Sequence, residues 1–420
     1  MKYTYIFLLA VSTLIFSSCD SDDTPKGDTQ SPTSPLNLMS TGSTDTTVDL
    51  SWEEASDNVA VTGYNLYQDG VIAQSDLTGT STSVVQLIAD TPYSFYVTAI
   101  DEASNESDAS NTASLNTAVE PLQFLQNLSE MGVYTGDFSN LIPADGVQLY
   151  EINSTLFSDY SSKQRLVILP EGESMTYDNS DLLPLFPDNT IIAKTFYYNI
   201  DDRDPSLGQQ IIETRLLLKL AGAWQVGNYK WNVTQTDASL IENGSGVDIS
   251  YIDLNGDTND IDYEIPSNMD CATCHNNNGS TRPIGIKLRN MNFIPSYTGQ
   301  NQIDYFKNIG LLNGLITSDD ISLLPDWTDD TNYDIFERGR AYIDINCAHC
   351  HQPGGEVTNF NLDFRYETLF NDSGIYANRG EIEERIQSNT PTYRMPQLGR
   401  SVVHDEAVAM LLEYLQAIED

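Results

Sequence analysis

Histidine is almost missing from this 420-residue chain: there are four, and none precedes Cys271. Acid–base catalysis by imidazole is thereby excluded from the first 270 positions, and only carboxylate chemistry is open to them. Bases are scarce too, with 20 Lys and Arg against 61 Asp and Glu, a net charge of −41. Such a field repels phosphate backbones, so no nucleic-acid partner is expected. Cysteine stops at five, and the five positions, Cys19, Cys271, Cys274, Cys347 and Cys350, leave no pair over for a structural disulfide. Long apolar runs are absent as well. The longest, "YIFLLAVSTLIF" at Tyr5 to Phe16, is too short for a permanent membrane span.

That run instead reads as an export signal. Lys2 supplies the positive end, and "FSSC" places small residues before Cys19. A cysteine directly after such a leader resembles the lipobox of bacterial lipoproteins, which implies an acylated Cys19 and a membrane partner through that anchor. An ordinary cleaved signal is the alternative. The resemblance implies an exported outer-membrane lipoprotein, periplasmic or on the cell surface. Residues 1–18 are therefore expected as signal peptide. Residues 19–34, polar and proline-bearing, are expected as a tether.

Residues 35–118 carry strand-length apolar stretches, "TVDLSW" and "YSFYVTAID", with turn signals between them. The order of Trp52, "VTGYNLYQDG" and Tyr93 in "TPY" resembles a fibronectin type III module, with Tyr93 as the corner tyrosine. Residues 119–265 open on a short helical pattern, "PLQFLQNLSEMG", and then turn β-rich through "QRLVILP", "TIIAKTFYYNI" and "IETRLLLKL". Within this region "DLNGDTNDIDYE" puts Asp253, Asn255, Asp257 and Asn259 at alternate positions and Glu264 at position twelve. Those spacings belong to a calcium loop. Thr258 stands where the loop's glycine is expected, and a solvated acidic turn is the competing reading.

Two runs carry the chemistry: "CATCH" at Cys271 to His275 and "CAHCH" at Cys347 to His351. C-x-x-C-H is the attachment signature of c-type haem, two thiols reaching one porphyrin edge and the histidine lying beneath the iron. On that reading Cys271, Cys274, Cys347 and Cys350 hold two haem c groups covalently, and His275 and His351 are axial ligands. Zinc shared between the pairs is the alternative, opposed by the long sequence separation. A thioredoxin-like redox pair is opposed by the adjacent histidines. Residues 266–330 would then carry the first haem and residues 331–420 the second. The run preceding Cys271 shows no helix pattern.

Around the second site, "NYDIFERGRAYIDIN", "TYRMPQLGR" and the amphipathic "DEAVAMLLEYLQAI" resemble a class I cytochrome c, which implies Met395 as distal ligand. Met291 is the nearest thioether to the first site, with core packing as its alternative role. His349, between the cysteines, is expected to face solvent. Arg394 and Arg400 are expected either at propionates or exposed, and His404 as a structural residue at the last helix. From about residue 121 onward, "LFSDYSSKQRLVILPEG", "YKWNVTQTDA" and "IPSNMDCATCH" resemble exported bacterial dihaem c-type cytochromes. The expected fold class is multidomain: a fibronectin sandwich, a β-rich domain, then mostly α haem domains. The resemblance implies electron transfer with redox partner proteins. A dihaem enzyme such as a peroxidase, its first iron open, is the alternative, and the chain reads more as a carrier than a catalyst.

Overall fold

The computed structural model describes residues 27–419. The expected leader, Cys19 and half of the tether lie outside them. The chain divides after Pro121 into two compact units.

The first unit is all β. Seven strands, β1 (Leu36–Ser43), β2 (Val48–Glu53), β3 (Val61–Gln68), β4 (Val71–Leu77), β5 (Ser81–Val84), β6 (Pro92–Asp101) and β7 (Ala113–Asn116), form two antiparallel sheets ordered β1-β2-β5 and β4-β3-β6-β7. Alternation decides which side chains go inward. Val48, Leu50 and Trp52 from β2 meet Leu66, Phe95 and Val97 in one core. Trp52 lies edge-on to Tyr64, with ring centroids 5.6 Å apart. The Tyr93 hydroxyl accepts the Ile88 N–H at 3.0 Å, which ties the corner before β6.

The second unit, residues 122–420, is organised by a six-stranded antiparallel sheet ordered β14-β13-β12-β11-β9-β8. Its strands are β8 (Gln148–Leu149), β9 (Ser162–Ile168), β11 (Ile191–Asn199), β12 (Gln209–Leu220), β13 (Ala223–Trp231) and β14 (Ala238–Ile241). A short β10 (Met175–Thr176) pairs in parallel with a distant strand at Leu312–Asn313. Both faces of the sheet are covered. Leu166, Ala193 and Leu216 enter one core, while their chain neighbours Val167, Ile192 and Leu217 enter another. The opening "PLQFLQNLSEMG" is not a helix. Leu122, Phe124 and Leu125 pack along the first core, and only Leu128–Met131 closes into a 3-10 turn. Its apolar spacing serves an extended strap lying on a sheet.

The hairpin of β15 (Ser245–Ile252) and β16 (Thr258–Ile265) leads into α1 (Asn268–His275). Ser267 caps that helix: its side chain accepts the Asp270 amide and the Asp270 carboxylate accepts the Ser267 amide, a capping box. The first C-x-x-C-H therefore lies on a helix, contrary to its sequence pattern. Next come α2 (Leu288–Met291), α3 (Gln302–Asn308), α4 (Ile335–Asn346), α5 (Arg379–Ile386) and α6 (Asp405–Ala417). Asp334 caps α4, accepting from the Phe336 and Glu337 amides. Helix α4 crosses α6 where Gly339 faces the Tyr414 ring. The fold is multidomain and β-rich, with helix at only 18%. The expectation of mostly α haem domains is corrected accordingly.

The calcium loop is also corrected. Asp253 accepts from the Asn255 and Asp257 amides at 2.9 and 3.0 Å and from Asn259 Nδ2 at 3.1 Å, which closes the turn between β15 and β16. Glu264 pairs with Gly246 well along β16. At about 3.3 Å per residue, the strand carries it roughly 20 Å beyond Thr258. Asp253, Asn255 and Asp257 thus form the hairpin's turn, and Asn259 and Glu264 lie on β16.

Candidate functional site

The two C-x-x-C-H runs converge. Cys274 from α1 meets His349 and Cys350 from the turn after α4, with one ligand atom of each within 4.8 Å of the others. Local structure explains how each arrives. On the α1 side, Asn228 of β13 donates through Nδ2 to the Pro266 carbonyl at 2.6 Å and to Cys271 Sγ at 3.4 Å. Cys271 is thereby turned to the sheet while Cys274 points away from it. On the other side, the Cys347 amide still bonds to Ile343 at the end of α4, and the His351 amide bonds to Cys347 O at 3.0 Å. That tight turn projects His349 and Cys350 together.

The cysteines of one pair thus face different partners, and a thiol of each pair shares one site. His349, expected at the surface, is half-buried, and its Nδ1 is fully buried without a hydrogen-bond partner. Contact with Cys350, together with burial, raises the Cys274 thiol's pKa. The same contact lowers that of Cys350, so Cys350 gives up its proton first. Cys347 is not in the cluster, and burial pushes its thiol up to about 12.

The cluster opens onto a cavity of about 590 Å³, also lined by His351, Phe364 and Met395. His351 lies 5.0 Å from the Phe364 ring, and burial lowers its pKa to about 4. Its Nδ1 has no partner. His275 is held apart: its Nδ1 is 2.6 Å from the Arg282 carbonyl, and burial drives its pKa down to about 3. The ring is therefore neutral, with Nδ1 as the donor and Nε2 carrying the lone pair.

Met291 does not reach this site. It is 0% exposed and packs with Ile286, Leu288 and Ile303 beneath the sheet, so it fills a core. Arg394 and Arg400 are buried rather than exposed. The Arg400 guanidinium donates to the Ser388 carbonyl at 2.8 Å and the Val402 carbonyl at 3.1 Å, tying loops rather than meeting an anion. His404 stacks on Phe157 at 4.0 Å and bonds the Tyr342 hydroxyl at 3.0 Å, a structural part. In the first unit Asp28, Asp57 and Asp101 cluster, a grouping no local sequence pattern announces.

Comparison with known proteins falls on the first unit. The fibronectin type III domain family matches residues 32–114. Chitinase A1 of Niallia circulans is 49% identical over 96 residues, 23% of this chain and 14% of the relative. Exoglucanase A of Cellulomonas fimi is 44% identical over 87 residues, 21% of this chain and 10% of the relative. Among solved structures, chitinase ChiA74 from Bacillus thuringiensis covers 37% of this chain at 21% identity with a TM-score of 0.21. The chain spans less than a fifth of the length of the first of these curated relatives.

These findings correct the functional expectation. The named curated relatives are a chitinase and an exoglucanase, and neither is a cytochrome. The dihaem family resemblance, the electron-carrier role, its peroxidase alternative and the two haem c groups are set aside. Kinship with such enzymes accords with an exported chain. The matching segments cover 21–24% of the chain, so the role of the second unit rests on its own geometry. What the comparisons establish is the fibronectin type III module at residues 32–114.

Proposed function

We propose that the second unit is a metal-binding module whose centre is Cys274, His349 and Cys350. The observation that carries it is the meeting of two thiols and an imidazole within 4.8 Å, with a buried His349 nitrogen lacking any partner. Two thiolates and an imidazole suit a thiophilic ion of the zinc or copper(I) class. Tetrahedral bonds of about 2.3 Å to sulfur set ligand sulfurs about 3.8 Å apart, a distance reached from here by side-chain rotation. Three protein ligands leave a fourth position, and the cavity bearing His351 and Met395 is where an outside ligand would enter. The long sequence separation that spoke against a shared ion is closed by the fold.

The setting proposed for this module is an exported chain held at the outer membrane by a lipidated Cys19. The fibronectin module, similar to segments of a chitinase and an exoglucanase, would act as a spacer. The test is metal content and intact mass of the full chain matured in an exporting bacterial host. One zinc or copper per chain is expected. Cys350→Ser and His349→Ala should weaken binding at least tenfold, whereas Cys271→Ser and Cys347→Ser should leave it in place. Extra covalent mass on the cysteine-bearing peptides, or equal dependence on all four cysteines, would overturn the proposal.

A further inference from the structure

One face of the central sheet carries a row of cations with too few anions. Register places Lys194 of β11 directly opposite Arg165 of β9 and Arg215 of β12, and Arg215 opposite Asn228 of β13. Directly paired residues project to the same face, so the row runs across neighbouring strands toward α1. Lys163, two positions from Arg165, stands on the same face and donates to the Ser161 carbonyl at 2.9 Å.

Counting partners shows what is unmet. Glu213 is spent on Arg215, whose Nε reaches it at 2.9 Å, and on the Tyr263 hydroxyl at 2.7 Å. Arg165 is 7% exposed, its Nε is buried with no partner, and no protein acceptor meets its guanidinium among the described residues. Lys194 has neither an ion pair nor a hydrogen bond among them. The other acids close enough to be felt, Glu151 near Arg165 and Asp159 near Lys163, are engaged elsewhere. Glu151 accepts the Ser296 amide at 2.9 Å, and Asp159 accepts the Ser401 amide at 2.7 Å. The remaining groups beside Lys194 and Arg215 are the Cys271 thiol of α1 and the Tyr263 phenol of β16. Neither is an anion at neutral pH.

Arg165 is buried and Lys194 half-buried, and drawing unpaired charge out of water is unfavourable unless a counter-charge meets it. A chain with 20 bases and 61 acids has little reason to leave two adjacent cations unpaired. We infer that Arg165 and Lys194 form a binding site for an oxyanion, carboxylate or phosphate, with Arg215 alongside. A guanidinium offers paired donors that match such a planar or tetrahedral group, and the neighbouring ammonium adds a point charge. Burial and the flanking cations pull Lys194 down to about 7 without an anion, and a bound oxyanion would keep it protonated. This site stands on residues separate from the proposed metal centre.

The test is calorimetric titration of the full chain with inorganic phosphate and, separately, acetate, at fixed ionic strength with chloride as background. Saturable binding is expected, at least tenfold weaker in Lys194→Gln. Binding of phosphate alone identifies a phosphate ligand, and binding of both identifies a general carboxylate-type pocket. A second variant, Lys194→Glu, supplies the carboxylate internally and should abolish the response while raising the melting temperature. The inference is overturned by no saturable binding of either anion, or by binding unchanged in Lys194→Gln.

Discussion

Replacing Gly339 by alanine tests the packing that positions half of the metal centre. A Cβ at Gly339 would lie 2.7 Å from Cδ2 and 2.8 Å from Cδ1 of Tyr414 and closer still to Cγ. Those atoms belong to the base of a ring that is itself 0% exposed, so the ring cannot swing away and the helices must part. Overpacking of this kind destabilises by about 1–3 kcal/mol. Against it stands the gain of roughly 0.5–1 kcal/mol from removing a glycine inside a helix. The net expectation is a loss of about 1–2 kcal/mol, read as a fall of a few degrees in the melting of the second unit. In the Tyr414→Leu background the same alanine should be neutral or stabilising. Because α4 ends in the turn bearing His349 and Cys350, the single variant should also bind metal more weakly. A higher melting temperature for Gly339→Ala in the otherwise unaltered chain would show that helix propensity, not ring contact, governs this crossing.

Two further outcomes follow from particular residues. His404 is kept neutral by burial, its pKa lowered to about 4, so the unfolded chain binds its proton first as pH falls. Its contribution is complete above about pH 6.5 and disappears toward pH 4, a change of about 3 kcal/mol. His404→Gln should flatten the acid limb of a stability–pH curve by that amount, and an unaltered limb would contradict the assignment. Cys19→Ser should release the chain from the membrane fraction of an exporting host, and retention there would exclude lipid anchoring.

The sequence made some elements plain because their signals are local. The runs "NYDIFERGRAYIDIN" and "DEAVAMLLEYLQAI" are helices α4 and α6, and the spacing of Val408, Leu411, Leu412, Leu415 and Ile418 marks α6 as amphipathic, its buried stripe falling at Ala407, Met410, Leu411, Tyr414 and Leu415. The fibronectin module is legible for the same reason: Trp52, Tyr64 and Tyr93 fall at strand spacing with turns between. Where local pattern misled, a tertiary partner explains it. Phe124 belongs to an apparently helical run, yet its ring lies over Gly227, where a Cβ would stand 2.5 Å from it. Only β13 opposite reveals why the strap is extended. Met291 sits at a plausible ligand distance in sequence, but the second sheet face absorbs it. The alternating acids near Asp253 match a calcium loop in spacing, but Asp253, Asn255 and Asp257 fold into a tight turn while β16 carries Glu264 away from them.

The candidate site itself was half legible, and the missing half is a matter of long-range geometry. The cysteines and histidines stood out by type and spacing, but spacing within each run implied two separate sites. Their merger depends on two independent placements. The sheet holds α1 through Asn228, which fixes Cys271 against β13 and turns Cys274 outward. The α4–α6 crossing holds the turn with His349 and Cys350. An ion gripping both sides would bind only the folded arrangement, so its binding free energy would add to the stability of the whole unit. Loosening either support, at Asn228 or at Gly339, would therefore weaken the same centre although neither residue can touch the metal. That shared sensitivity is what distinguishes one centre built across the fold from two independent cysteine pairs, each of which would answer to its own support alone.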